Sequence, residues 1–366
     1  MKITVSKSAL IDAINTASRA VSSKTTMPIL KCLILSAGSE GFEIFATDME
    51  MNIKVFGIEA EIETAGRVAA DASMFGGVIR KMPDGEITIS TDDKFILKIK
   101  SGKVNFSIAG LDAAEFPVLP AAERDKTVGI AASELKNIIR RTRFSVGTDP
   151  GKPVFRGELF EIREGKINVV AVDGYRISHG MGEVAEVCEV MAVVPGKTLQ
   201  ELERVLPEDG EVVMCFSARQ VVFEMQGVIF GSQIIQGDFL AYRLNFEADC
   251  PISAVVDKAS LLSAVERVML LSHDETKPPV RLAFDENELK LSSRAPLGSV
   301  DEEIPVKCAG GSVTIEFNPQ YFLDVLRVTE ESSLRLNMSS PLSPCVVDNL
   351  ENDRFRYLIL PLRPKS

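Results

Sequence analysis

The chain has 366 residues, enough for two or three domains, and its 45% hydrophobic and 25% charged residues are those of an ordinary globular protein. Its 41 Lys and Arg against 52 Asp and Glu give a net charge of −11, which taken alone argues against nucleic acid as a partner. Net charge does not report distribution, so the question becomes where the basic residues sit.

In chain order, residues 5–21 carry the first helical pattern, with Leu10 and Ile14 four apart on one face. Residues 70–82 carry a second, built on Phe75 and Val78. Alternating runs follow at 87–90, 95–100 and 104–108, and these predict strands. Ser101-Gly102, Glu164-Gly165 and residues 285–287 supply turns. The first helical pattern then returns at 130–146 (Leu135, Ile139) and 256–272 (Leu261, Val265), at spacings of 125 and 126. The second returns at 194–206 (Leu199, Leu202) and 317–328 (Phe322, Val325), at spacings of 124 and 123. Self-similarity at a fixed period marks a repeat architecture. Each third therefore reads as two copies of a helix plus a few antiparallel strands, with domains expected at 1–122, 127–247 and 248–366 and linkers near 120–126 and 247–251.

Each helix must bury one apolar stripe on its own sheet. In 130–146, Leu135, Ile138, Ile139 and Thr142 form that stripe, which leaves Lys136, Arg140 and Arg143 on the opposite side. In 194–206, Leu199, Leu202, Val205 and Leu206 face inward and Lys197, Gln200 and Arg204 outward. Arg80, Lys81 and Arg327 close two other helices. Sheets joined edge to edge would bring all the helices to one side, and the resulting arc would close by symmetric dimerisation. Charge on a helix face can also be plain solvation.

Chemical motifs are few. Gly196-Lys197-Thr198 ends like a phosphate-binding loop, but Met191 stands where its first Gly is required. Asp48 and Glu50 lie two apart on an expected strand, so they would share a face as metal carboxylates can. The alternative is a turn in which the carboxylate meets backbone amides. Asp173 stands 125 residues after Asp48, and a repeated Asp points to the same strand end closed twice. Six scattered cysteines without CxxC read as buried reduced thiols, and two histidines, His179 and His273, cannot build a multi-histidine metal site. No nucleophile–base pair is visible. No enzyme, metal or cofactor is therefore expected. No apolar run reaches the roughly 18 residues of a membrane span, and the start lacks a signal-peptide core, so a cytoplasmic protein with no membrane partner is expected.

The residues Met1-Lys-Ile-Thr-Val, Met27-Pro-Ile-Leu, Ala46-Thr-Asp-Met-Glu-Met, Glu115-Phe-Pro, Arg156-Gly-Glu-Leu-Phe-Glu, Ala171-Val-Asp-Gly-Tyr-Arg-Ile, Pro195-Gly-Lys-Thr-Leu and Tyr357-Leu-Ile-Leu-Pro-Leu-Arg fall in order along the chain. Together they resemble the bacterial sliding-clamp family, the β subunits of DNA polymerase III, over essentially the whole length. The resemblance implies an α+β DNA-clamp fold of three similar domains. It also implies a ring-shaped head-to-tail homodimer, with helices lining the hole and sheets outside. The implied role is non-enzymatic. The ring slides on duplex DNA as a processivity factor in replication and repair, and a clamp loader opens and closes it. A non-replicative repeat scaffold that binds partner peptides is the alternative.

Site residues follow from both sources. Family position places Lys24 and Lys152 on hole-facing loops and Lys197 at the start of an inner helix. Lys136, Arg140 and Arg204 join them from the helix faces, with Arg80, as sequence-independent DNA contacts. At the dimer contact, the family brings Phe106 and Ile108 against Leu270 and Leu271, and Lys98, Lys100 and Lys103 face Asp301, Glu302 and Glu303. The run Leu358, Ile359, Leu360, Pro361 and Leu362 is too apolar for a free tail, and Pro361 and Pro364 disfavour helix and central strand there. It is expected to line a groove for partner peptides. By family position the groove also takes Phe155, Val172, Gly174, Tyr175, Arg176, Ile177, Leu240, Tyr242, Leu244, Ser343 and Pro344, with Arg176 and Arg363 meeting peptide carboxylates or carbonyls. The polymerase III catalytic subunit, the clamp loader and other clamp-binding-motif proteins would share it. Leu240 replaces the Pro of many relatives, Leu244 the Arg of some, and the tail runs on through Pro364 to Ser366.

Overall fold

The computed structural model describes residues 1–22, 24–117, 124–271, 278–296 and 298–363. The linker expected at 120–126 lies largely outside these residues, and His273 and the Pro364–Ser366 extension lie wholly outside them. The first third runs β1 (Lys2–Ser6), α1 (Lys7–Ala17), β2 (Cys32–Gly38), β3 (Gly41–Thr47), β4 (Met51–Ile58), β5 (Ala60–Thr64), β6 (Gly66–Asp71), α2 (Ala72–Lys81), β7 (Glu86–Thr91), β8 (Ile96–Ser101) and β9 (Val104–Leu111). The second runs β10 (Lys126–Ala131), α3 (Ala132–Thr142), β11 (Gly157–Arg163), β12 (Lys166–Val172), β13 (Arg176–Glu183), β14 (Val190–Pro195), α4 (Gly196–Val205), β15 (Glu211–Phe216), β16 (Gln220–Met225), β17 (Val228–Gln233) and the short α5 (Arg243–Phe246). The third runs β18 (Ile252–Asp257), α6 (Lys258–Met269), β19 (Val280–Asp285), β20 (Glu288–Ala295), β21 (Gly298–Ala309), β22 (Val313–Phe317), α7 (Pro319–Val328), β23 (Ser333–Met338), β24 (Cys345–Asn349) and β25 (Phe355–Ile359). The six expected helices all form. α5 had no counterpart in the periodicity, because four residues are too few to carry one.

Each long helix follows directly on a strand, and the boundary residue supplies the cap. Ser6, Asp71, Asp257 and Asn318 accept from amides of the first turns of α1, α2, α6 and α7. Such caps contribute about 1 kcal/mol each. The repeating apolar positions then go inside. Leu10, Ile14, Phe75, Val78, Leu135, Ile139, Leu199, Leu202, Leu261, Val265, Phe322 and Val325 are all buried.

Two compact units emerge, Met1–Ser133 with Arg204–Ile234 and Glu134–Glu203 with Ile235–Ser366. The first holds a 13-stranded sheet ordered β10-β15-β16-β17-β4-β3-β2-β6-β9-β8-β7-β1-β5. The second holds a 12-stranded sheet ordered β14-β11-β12-β13-β25-β24-β23-β18-β21-β20-β19-β22. Strand pairing thus groups β10 and β15–β17 with the first third, and β11–β14 with the last.

The segment around Asp48 is a turn between β3 and β4, not the strand expected. Its carboxylate accepts from the amides of Glu50 (3.0 Å) and Met51 (2.9 Å), which bends the chain and removes any shared face with Glu50. Asp173 repeats this, accepting from Tyr175 (2.8 Å) and Arg176 (3.0 Å). The third residue of both turns lies in the left-handed region, Gly174 at φ +95° and Met49 at φ +78°. Met49 has a side chain to accommodate there and Gly174 does not. Of the six free cysteines four are buried, but Cys188 and Cys250 are half-exposed, against expectation.

Within the second unit α3 is pinned by Arg141, which the helical pattern did not single out. Its guanidinium lies 3.7 Å from the Phe355 ring centroid and 2.8 Å from Glu331, and its side chain is 4% exposed. Removing one partner of a buried ion pair costs about 3–5 kcal/mol. Arg141→Ala is expected to lose that much in urea unfolding, and more than Arg140→Ala, whose pair with Glu330 is exposed.

Candidate partner groove and surrounding surfaces

The groove is built where β13 and β25 pair in the second unit. Successive strand residues point to opposite faces, and residues directly opposite share one. Ile177 pairs with both Val172 and Leu358, so these three lie on one face. Leu159, Val170, Val193 and Val346 join them, and Tyr242 and Phe246 of the α5 segment pack on top, with Phe155, Ile235 and Phe239 at the margin.

Polar contacts hold α5 in place. The Tyr242 hydroxyl donates to Glu161 at 2.6 Å and Arg243 to the same carboxylate at 2.5 Å. Beneath them the His179 ring packs 5.3 Å from Tyr242 and 6.0 Å from Phe246, with Nε2 2.9 Å from Asn168 Oδ1. Burial, then the Arg356 and Arg243 cations, push the imidazole down to about 4. It is neutral at ordinary pH, and its Nε2 donates to Asn168.

The rim is open and apolar. Tyr175 is 60% exposed and stacks on Tyr321 of α7 at 6.3 Å and 24°. Leu240, Leu244, Leu342, Leu360 and Leu362 are exposed, whereas Ser343 and Pro344 are half-buried. Two backbone bonds tie the tail down, Leu360 N–H to Tyr175 O (2.9 Å) and Leu362 N–H to Glu316 O (2.7 Å). The first half of the apolar run therefore ends a strand paired on both sides, and Leu360, Pro361, Leu362 and Arg363 cross the surface. At Gly174 a side chain would point into open space, with only the Lys152 ammonium within 4 Å of the Cβ position.

Two expected groove residues stand elsewhere. Arg176 and Ile359 pair with each other one position along from Ile177 and Leu358, and so point to the helix side of the sheet. Ile359 is fully buried there. Arg176 reaches Asp173 (2.9 Å), Asp324 of α7 (2.6 Å) and the Phe144 carbonyl (2.7 Å), with its guanidinium 4.6 Å from the Tyr321 ring centroid. With its polar atoms so engaged, it positions the Gly174–Tyr175 turn and is not a ready contact for a peptide carboxylate. Tyr321 and Asp324 were missed, since nothing in the sequence near α7 points to residues 173–176. A lysine ammonium cannot span three such acceptors. Arg176→Lys is expected to raise the Kd of a partner peptide about tenfold, or about 1.4 kcal/mol, by fluorescence polarisation.

The helices gather the basic charge. The six long ones carry eleven Lys and Arg against six Asp and Glu, in a chain that has 41 against 52. Lys24, Arg80, Arg140, Lys152, Lys197 and Arg204 are exposed and Lys136 is half-buried. Arg80 donates to Asn15 at 3.1 Å, and Arg140 is shared with Glu330, which dilutes its field. Arg143 is paired with Glu203 at 3.0 Å. Among the described residues no cluster of His, Cys, Asp and Glu could hold a metal, and no helix is long and apolar enough to cross a membrane.

Besides the outer edges of the terminal strands β5, β10, β14 and β22, the strands β9 and β21 each leave an edge open among the described residues. β9 pairs with β8 from Val104 to Ala109 and meets β6 only at Gly110 and Leu111. β21 pairs with β20 from Gly298 to Pro305 and meets β18 only from Val306 onward. Both edges carry apolar groups. Phe106 is exposed and Ile108 half-buried, while Leu270, just past α6, is 79% exposed and Leu271 half-buried. The charges flanking them are partly used within the chain: Glu302 holds Arg267, Glu303 holds Lys290 at 2.8 Å, and Lys98 lies 3.6 Å from Asp92. Lys100, Lys103 and Asp301 are exposed.

Family models for the N-terminal, central and C-terminal domains of the DNA polymerase III beta subunit match residues 1–120, 129–240 and 248–363. The chain is 29% identical to the beta sliding clamp of Bacillus subtilis over 99% of its own length and 100% of that protein's. Its structure superposes at a TM-score of 0.95, with 35% identity, on a Eubacterium rectale chain assigned as a DNA polymerase III beta subunit, covering 99% of this chain and 100% of that one. The Pseudomonas aeruginosa sliding clamp bound to griselimycin superposes at 0.93 with 26% identity, each chain covered in full. With all three domain models matched in order along nearly its whole length, the chain belongs to the DNA polymerase III β-subunit family, the bacterial sliding clamps.

Proposed function

We infer that this chain is a DNA sliding clamp, a cytoplasmic, non-catalytic processivity factor. It pairs head to tail with a second copy, encircles duplex DNA and tethers the replicative polymerase, the clamp loader and other partners through the groove. The observation that carries this reading is the way its sheets join. In the first unit β4 pairs with β17, Met51 opposite Ser232 and Val55 opposite Val228. In the second unit β13 pairs with β25, Arg176 opposite Ile359 and Gly180 opposite Phe355. By the internal repeat these are one junction used twice, and they support domains at 1–122, 127–247 and 248–366. The third strand of the β4 and β13 type is the start of β21, and the third of the β17 and β25 type is β9. Both are open among the described residues, so the third junction forms between two chains, and two copies pair both of these edges.

The two observed junctions also set the register of the third. It places Gly298 opposite Ile108, Val300 opposite Phe106, Asp301 opposite Asn105 and Glu302 opposite Val104. Phe106 then faces the side of the sheet on which α6 and Leu270–Leu271 lie. Asn105→Cys with Asp301→Cys, treated with a short thiol crosslinker, is expected to give covalent dimers. Asn105→Cys with Gly311→Cys, out of register, is expected to give none. Cross-linking of both pairs alike would refute the register.

DNA would be held by phosphate contacts alone, because base-specific grips would stop a ring from sliding. The basic helices fit that role together with the loop residues Lys24 and Lys152, and these two and Lys197 of α4 stand foremost. Changing these three to Glu is expected to shorten retention on closed circular DNA by an order of magnitude or more while leaving the dimer intact. Each lost phosphate contact also flattens the dependence on salt. Unchanged retention would remove these lysines from the DNA path. The scaffold alternative has no observation in its favour.

A further inference from the structure

The repeat exposes one substitution that packing does not explain. Glu158 of β11 lies opposite Val194 of β14, and it is fully buried. The same place in the other two copies is held by Leu33, opposite Ala70, and Val280, opposite Phe317. Its neighbour across the layer, Thr142 at the end of α3, corresponds to Ala17 and Val268. An apolar pair in two copies is thus a polar pair in the third.

Hydrogen bonding decides the charge of that pair. Glu158 Oε1 is buried without a partner, and Oε2 lies 2.5 Å from Thr142 Oγ1. Thr142 has one hydroxyl proton, and the Ile138 carbonyl lies 2.8 Å from the same oxygen to take it. That one proton cannot serve both the carbonyl and the carboxylate, whereas a protonated carboxyl lets both contacts be made, Thr142 donating to Ile138 and Glu158 donating to Thr142. The charged groups facing it are Arg143, just beyond α3, and Glu203 of α4, and these pair with each other at 3.0 Å. Their fields on the carboxyl oppose one another. An ionised carboxylate here would be desolvated with one oxygen unanswered, a far heavier penalty than a neutral acid meets.

We propose that Glu158 is held as the neutral carboxylic acid and donates to Thr142, forming a proton-dependent latch that seats the end of α3 on β11. Burial accordingly pushes its pKa up to about 8 from the ordinary carboxyl range. The latch stands next to the groove's support, because Phe144, two residues past Thr142, supplies the carbonyl that receives Arg176.

The sign follows from linkage. A carboxyl whose folded pKa lies above its unfolded one binds a proton more tightly when folded. Stability relative to a non-titrating variant therefore falls as pH rises from about 4.5 to about 8, then levels off. Two measurements test the latch on the full-length protein. In carbon NMR of glutamate-labelled protein, the carboxyl signal that disappears in Glu158→Gln should titrate near pH 8. Titration together with the other glutamates would overturn the proposal. The melting temperature of Glu158→Gln should rise relative to the parent between pH 5 and pH 8, and a difference constant over that range would likewise overturn it. If the Gln variant does not fold, Glu158→Val, which restores the residue found at 280, serves for the same comparison.

Discussion

An unpaired strand edge is a row of backbone donors and acceptors ready to take another strand. This chain uses strand edges as its main construction device. Twice an edge strand of one third is paired with an edge strand of the next, at β4–β17 and β13–β25. The pairing overrides chain continuity so far that the central third is divided between two sheets. A device used twice in a threefold repeat leaves one edge of each kind over, and the proposed function rests on what those two edges do.

The same repeat sorts the charge. A chain at −11 is a poor candidate for a DNA partner until its charges are assigned to elements. The long helices are net basic, and the remainder of the chain is correspondingly more acidic. Contacts to phosphate need no base-reading side chains, so helices with scattered lysines and arginines suffice.

Much of this was legible in the sequence because it is local. The six helices follow from apolar residues three and four apart, and the hairpin turns follow from Gly and Asp positions. The twin turns at Asp48 and Asp173 follow from a spacing of 125, although the strand assigned to Glu50 was wrong because the carboxylate turns the chain there. The groove was legible only through the family resemblance, and imperfectly. That Arg176 and Ile359 face away from Ile177 and Leu358 depends on the register of β13 against β25, strands some 180 residues apart in the chain. Arg141, Tyr321 and Glu158 were invisible for the same reason, since each owes its role to a partner remote in sequence or to a comparison of the three copies in space.

The groove and the edges make different demands on the chain. The groove is complete in one copy, held by α5, by the Asp173 turn and by the two backbone bonds that fasten Leu360 and Leu362. The edges of β9 and β21 are open in one copy, and the proposed dimer completes them. The native mass of the full-length protein in solution tests this central claim most directly. Closure of both open edges between two chains predicts a single species of twice the 39.9 kDa chain mass, constant over a wide range of concentration. A 39.9 kDa monomer, or a mass that climbs steadily with concentration as open head-to-tail chains grow, would contradict it.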